Sequence, residues 1–235
     1  MDATGQVEKT IAEIELPEQA IELSFHPERD VLATGLVNGK VYLHTYSEEG
    51  HTLELELSHH QESCRSVLFS EDGKLLRTAS KDRSIAEVAE TGQVTWRQQG
   101  AHDWSVNVLY GISTEMLASG DDQGAIKIWD TRQRREVAKF HVNEDFISDM
   151  IANEAGDKLL ATSGDASLGV LDLRQRKVED RVTNNEDELL SVQIMKGGSR
   201  VVCGTQSGVI VSWPWGLGVR VPADSEVIPT LWTPC

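Results

Sequence analysis

The chain has 235 residues, with 22 Lys and Arg against 38 Asp and Glu, a formal net charge of −16. Its 39% hydrophobic content is enough to bury a core, and its acidic balance argues against a chain whose main task is to track a phosphate backbone. No apolar run approaches the ~18 residues of a membrane span, MDATGQVEKT lacks the apolar stretch of a secretory signal, and the scattered Cys64, Cys203 and Cys235 read as free thiols of a reducing compartment, cytosolic or nuclear.

In chain order the same pattern recurs five times. LATGLVNGKVYLHT comes first and places His44 in a slot that LRTASKDRSIAEVA fills with Val88. The clearest copy, LASGDDQGAIKIWD, puts Trp129 there, LLATSGDASLGVLD puts Leu171, and VVCGTQSGVIVSW puts Trp213. The spacings are 44, 41, 42 and 42 residues. Within the copies apolar and polar residues alternate, as in Val41 and Leu43 or Ile126 and Ile128, which is the period of a strand. Turn dipeptides such as Asn38-Gly39, Asp72-Gly73, Gln123-Gly124 and Ser207-Gly208 separate the strands. Inner strands are expected at 20–25, 64–69, 105–110, 147–151 and 190–194.

A period of ~40–45 residues, several short strands per unit and a terminal Trp-Asp mark the blade of a β-propeller. The chain resembles the WD-repeat family, carried by LSFHPERDVLATG, VLFSEDGKLLRTASKDRSI, LASGDDQGAIKIWDTR, ISDMIANEAGDKLLATSGDASLGVLDL and VVCGTQSGVIVSW, over residues 14–218. The resemblance implies an all-β WD-repeat propeller. Residues 1–13 are a leading segment, 14–213 hold about five blades, and 214–235 are a divergent tail. With Pro214, Pro222, Pro229 and Pro234 the tail is poor strand sequence. The reading is a propeller cut short at its C-terminus relative to a seven-bladed ring, left as an open or strained arc. Two alternatives stand: closure as a five-bladed ring, or pairing of a strand at 9–16 with the last blade.

Four groups of residues are candidates for function. Trp129-Asp130-Thr131-Arg132 closes a 16-residue box that resembles the motif by which WD-repeat substrate receptors dock on the damaged-DNA-binding adaptor of cullin-4 ubiquitin ligases. Arg132 would supply a planar fork for a partner's carboxylate or carbonyls. The plainer reading is a common ending of a blade strand. Leu171-Asp172-Leu173-Arg174 is a weaker relative. Second, the resemblance implies a buried hydrogen-bond network in which His102, Ser119 and Trp129 supply three members; Asp82 and Asp165 fill its turn position in their own blades, whereas the third blade has Gln123 there, next to Asp121 and Asp122. Third, His59, His60 and Cys64 have metal-ligand chemistry, but no second ligand cluster follows, so no metal is expected.

The fourth group is basic. Arg132, Arg134 and Arg135 recur at an offset of 42 as Arg174, Arg176 and Lys177, a stripe suited to an acidic protein or to RNA phosphate. Glu136, Glu179, Asp180, Glu154 and Asp157 are nearby carboxylates that could instead absorb it. No GxxxxGK[ST], GxSxG or HExxH occurs, and Ser, His and Asp recur with the repeat, which marks structure rather than catalysis. The expectation is a non-enzymatic interaction platform without a cofactor. By resemblance it is a nuclear or nucleolar scaffold in ribosomal RNA production whose partners are ribosome-assembly factors; the alternative is a cullin-4 substrate receptor.

Overall fold

The computed structural model describes residues 13–183, 187–195, 197–215 and 226–228, and among them there are twenty β-strands and no helix. The strands form five antiparallel four-stranded sheets, and in each the neighbours in space are neighbours in sequence. The first sheet is β1 (Ala20–Phe25), β2 (Val31–Leu36), β3 (Val41–Ser47) and β4 (Gly50–Leu57). The second is β5 (Cys64–Phe69), β6 (Leu75–Ser80), β7 (Ile85–Ala89) and β8 (Val94–Gln98). The third is β9 (Val106–Ser113), β10 (Met116–Asp121), β11 (Ala125–Asp130) and β12 (Arg135–His141). The fourth is β13 (Ile147–Ala152), β14 (Lys158–Ser163), β15 (Ser167–Asp172) and β16 (Lys177–Thr183). The fifth is β17 (Leu189–Ile194), β18 (Arg200–Thr205), β19 (Ile210–Pro214) and β20 (Glu226–Ile228). The chain divides into two compact units, Met1–Gln98 with the first two sheets and Gln99–Cys235 with the other three.

The expected inner strands coincide with β1, β5, β9, β13 and β17, but β9 runs on to Ser113. The cause is its hairpin. Ser113 pairs directly with Met116 across a two-residue turn, so the ladder continues to its end. In the second and fourth sheets a polar side chain occupies that place: Ser70 Oγ accepts from the Leu75 amide at 3.0 Å, and Asn153 Oδ1 from the Asp157 and Lys158 amides at 3.1 and 3.0 Å. Side chains that hydrogen-bond local amides end a ladder early.

Register repeats as strictly as sequence. The pairing of the first two strands shifts at Ala20/Glu22, Cys64/Ser66, Val106/Val108, Ile147/Asp149 and Leu189/Ser191, one bulge at the same place in all five sheets. A second shift precedes His44, Val88, Trp129 and Leu171, the slot residues of the first four sheets. A bulge increases local twist and re-aims the side chain beside it. An amide near the end of the third strand or just past it also reaches back to the first hairpin: Tyr46 N to Asp30 O at 3.0 Å, Thr131 N to Glu115 O at 2.9 Å, Leu173 N to Asp157 O at 2.9 Å and Trp215 N to Ser199 O at 2.8 Å.

In the first unit, Val31, Ala33, Val41, Leu43 and Leu57 pack against Cys64, Val67, Leu76 and Val88. Backbone amides are tied across the two sheets as well, Val67 N donating to Glu22 Oε2 at 2.8 Å and Phe69 N to Ser24 Oγ at 3.2 Å. In the second unit Ala118, Ile126, Ile128 and Phe140 meet Ile147, Met150, Leu159 and Leu171. On the other face of the fourth sheet, Leu160, Leu168 and Val182 meet Val192, Val201, Cys203, Val211 and Trp213. Each such leucine, removed wholly from water, contributes about 1.5–3 kcal/mol before chain entropy is counted. Only glycine fits the turn at Gly124, with φ of 76° and a Cβ position 2.0 Å from the Asn143 carbonyl oxygen.

The tail differs from its sequence reading. Glu226, Val227 and Ile228 pair with Ser212, Val211 and Ile210, so β20 is the fourth strand of the fifth sheet. Proline removes a ladder donor only where it stands: Pro214 falls at the end of β19, and Glu226–Ile228 fit between Pro222 and Pro229. Of the strand considered at 9–16, residues 9–12 lie outside the described residues, and 13–16 form no strand.

A candidate interaction face on the third and fourth sheets

Trp129 and Asp130 end β11 as buried residues, and their polar atoms are spent inside the sheet. Trp129 Nε1 donates to Ser119 Oγ at 2.8 Å, two residues along β10 from the cross-strand partner Leu117. Asp130 Oδ1 accepts from the Gln133 amide and Oδ2 from Gln133 Nε2, both at 2.8 Å, which pins the turn that follows. Arg132 projects from that turn with 65% of its side chain exposed, and its Nη1 lies 3.0 Å from Glu115 Oε1. The fourth sheet repeats the construction. Asp172 Oδ1 accepts from the Gln175 amide at 2.7 Å, and Arg174, 74% exposed, lies 3.7 Å from Asp157. Exposed pairs of this kind contribute ~0–1 kcal/mol and exchange partners readily.

Arg134, Arg135, Arg176 and Lys177 are exposed, and among the described residues none has an ion-pair partner. Of the five carboxylates expected to absorb the stripe, Asp157 faces Arg174, and two are engaged elsewhere. Glu136 pairs with Lys127 at 2.9 Å and Glu179 with Lys158 at 2.6 Å. Arg134 and Arg176 both adopt φ of 53°, the left-handed region. In the second sheet the residue closing the same connection, also left-handed, is Gly92 at φ 82°. A side chain in that conformation costs ~1–3 kcal/mol.

Beneath this face lies the buried network. His102 Nδ1 and Asp121 Oδ2 are 2.9 Å apart, and His102 Nε2 and Ser119 Oγ 2.7 Å apart. A carboxylate only accepts, so Nδ1–H donates to Asp121, Nε2 accepts from the Ser119 hydroxyl, and Ser119 Oγ accepts from Trp129. Asp121 Oδ1 also takes the Gln123 and Ala125 amides at 3.0 and 2.9 Å. Burial alone would raise the Asp121 carboxyl; the bonds from His102, Ala125 and Gln123 outweigh it and hold it below the usual range. The fourth member is therefore Asp121, which the sequence reading named only as a neighbour of Gln123.

Asp82 and Asp165 do fill the turn position. They accept from the Ser84 and Ser167 amides at 2.9 Å each, and from Arg97 and Arg181 at 3.2 and 2.8 Å. Asn143 stands where the second and third sheets have histidine, donating to Ser167 Oγ at 2.7 Å. In the fifth sheet Cys203 takes the place of Ser119, and the buried Trp213 Nε1 has no partner among the described residues.

His59, His60 and Cys64 do not converge as ligands. Both imidazoles reach Thr78 Oγ1 through Nε2, each at 2.8 Å, and His60 Nδ1 lies 3.0 Å from Ser84 Oγ. The Cys64 Sγ faces the Ser66 carbonyl at 3.6 Å, and burial pushes its thiol far above the ordinary value; burial likewise pushes Cys203 up to about 12. Neither is a reactive thiolate. Burial lowers His59 and His60 to about 4 each, with Arg97 adding to the effect at His59 and His59 adding to it at His60. Their folded values lie below the ordinary 6.5, so between pH 6.5 and 4 the unfolded chain binds more protons and stability falls as pH falls. A loss of about 2–3 kcal/mol per imidazole over this window is expected in urea titrations. His60→Asn, which copies Asn143, should flatten the slope; an unchanged slope would exclude His60 as a source.

Known proteins match this arrangement along most of its length. The model of the WDR55 family matches residues 11–220. The chain belongs to the WDR55 family. WD repeat-containing protein 55 of Arabidopsis thaliana is 43% identical over 206 residues, covering 87% of this chain and 58% of that protein. The Homo sapiens protein of the same name is 39% identical over 218 residues, 92% of this chain and 57% of the relative. The chain thus spans little more than half the length of these WDR55 relatives. Among solved structures, Chaetomium thermophilum Sqt1 superposes with a TM-score of 0.75 at 19% identity, over 83% of this chain and 57% of that one. The β-propeller domain of Myceliophteria thermophila Cps50 (Swd1) gives 0.74 at 16% identity, over 93% and 73%. The fold is that of a WD-repeat β-propeller, with five four-stranded blades described in this WDR55-family chain.

Proposed function

We propose that this chain is a non-enzymatic protein-interaction platform acting in ribosomal RNA production in the nucleolus, with ribosome-assembly factors as its partners. Membership of the WDR55 family carries the reading. The histidine, serine and aspartate side chains support it as well, since those that look catalytic are locked to one another and to turn amides in the interior. A rigid scaffold of sheets leaves its connections to meet other molecules.

A second reading is favoured by one observation. Arg132 stands exposed just past the Trp-Asp pair, on a turn that Asp130 holds in place. That geometry suits docking on the damaged-DNA-binding adaptor of cullin-4 ubiquitin ligases, with a partner carboxylate displacing Glu115 from Arg132. Affinity capture of the tagged chain beside Arg132→Ala, read by mass spectrometry, separates the two. Assembly factors recovered with both forms support the scaffold. The adaptor recovered with wild type alone supports the receptor. Chaperones alone would overturn both for this chain.

A further inference from the structure

We propose that the connections 131–134 and 173–176, with Arg135 and Lys177 behind them, form one docking surface for an acidic peptide segment of a partner protein. Four cations stand in these two short turns and two more open the strands that follow, in a chain whose net charge is −16. The corresponding connections of the first and second sheets carry Glu48-Glu49 and Glu90-Thr91-Gly92, so the basic turns are no general property of the repeat. Leu173, which opens the second turn, and Val137, just past the first, pack against the core shared by the third and fourth sheets. The two turns therefore lie at the same end of adjacent sheets.

The backbone adds an independent argument. Both turns are fastened by an aspartate to the amide three residues on, Asp130 to Gln133 and Asp172 to Gln175. Both then place arginine in a left-handed conformation that Gly92 occupies without strain in the second sheet. Strain kept twice, at equivalent positions and by the same side chain, points to a role for the side chain rather than for the turn. Arg134, Arg135, Arg176 and Lys177 have no ion-pair partner among the described residues, while Arg132 and Arg174 hold carboxylates in exposed pairs that a ligand can replace.

The surface favours carboxylates over nucleic acid. Neither turn carries an aromatic ring on which a base could stack, so the surface lacks the contact through which single-stranded nucleic acid gains affinity beyond charge. Arginine forks match carboxylate geometry two bonds at a time. This inference rests on the reading of the chain as an interaction platform, but its test needs only the purified chain. Failure of the cellular assignment leaves it standing, and its own failure leaves the capture experiment intact.

The test is fluorescence anisotropy of a labelled octaglutamate peptide at low salt, with the full chain and with the double variant Arg134→Gly, Arg176→Gly. Glycine relieves the backbone strain, so the variant should melt no lower than wild type while its affinity falls about tenfold or more. Arg83 is a control, an arginine at φ 66° in the β6–β7 turn, outside the surface; Arg83→Gly should leave binding unchanged. No binding by wild type, full binding by the double variant, an equal loss with Arg83→Gly, or tighter binding of an oligouridylate than of the peptide would each overturn the proposal.

Discussion

Replacing Asp121 with alanine should lower the unfolding free energy by about 3–5 kcal/mol, among the largest effects of any single substitution in this chain. One carboxylate serves three donors, His102 Nδ1–H and the amides of Gln123 and Ala125, and the residue is 2% exposed. Each buried donor left without an acceptor costs about 1–3 kcal/mol. Against the usual marginal stability of about 5–15 kcal/mol, a loss of that size brings the unfolding transition down towards working temperature. Asp121→Asn keeps an oxygen for the two amides and should cost less. Urea midpoints with circular dichroism would settle it, and a cycle with His102→Ala should show coupling of at least ~0.5 kcal/mol. A midpoint within error of wild type for Asp121→Ala would mean that water replaces the carboxylate at no cost.

A comparable effect is expected at Arg77 and Glu87. They face each other across β6 and β7, with Arg77 Nε 3.0 Å from Glu87 Oε1 and side chains 2% and 5% exposed. The same cross-strand position holds Ala118 and Ile128 in the third sheet, and Leu160 and Val170 in the fourth. Removing one member strands a buried charge, so Glu87→Ala should lose about 3–5 kcal/mol. Replacing both, as Arg77→Leu with Glu87→Val to copy the fourth sheet, should be neutral or stabilising by up to ~4 kcal/mol. Denaturant titration of wild type, single and double variants reads both numbers. A double variant as unstable as the single one would show that the ion pair, rather than apolar packing, is what this position needs.

The repeat made the third-strand slot, the turn dipeptides and the first strands of all five sheets legible, because apolar alternation and glycine positions follow directly from strand and turn geometry. Three members of the His102 network were legible for the same reason. Asp121 was not. In the second and fourth sheets the carboxylate stands within the turn, at Asp82 and Asp165, whereas in the third it stands two residues earlier, at the end of β10. Both placements reach the same amide, at Ser84, Ser167 or Ala125. The position of an acceptor in space is what the network selects, and two positions in sequence satisfy it. Arg77 and Glu87 escaped notice because alternating charges in a strand read as a solvated face, and only cross-strand register reveals that they meet. The left-handed Arg134 and Arg176 escaped because arginine gives no local signal for that conformation.

Among the described residues, every hydrogen-bonded strand pair joins consecutive strands. Sheet formation therefore requires closing nothing longer than a hairpin, except between β19 and β20, and loop-closure entropy stays small at each step. Hairpins of this kind form in about 1–10 μs, so within each unit the slow events in folding are the dockings of one finished sheet on the next. The ties that follow docking span roughly one repeat, as from Glu22 to Val67 and from Asp149 to Val192. Native-state hydrogen exchange should then report protection in blocks of one sheet, with each block's opening governed by the neighbour it rests on rather than by the chain as a whole.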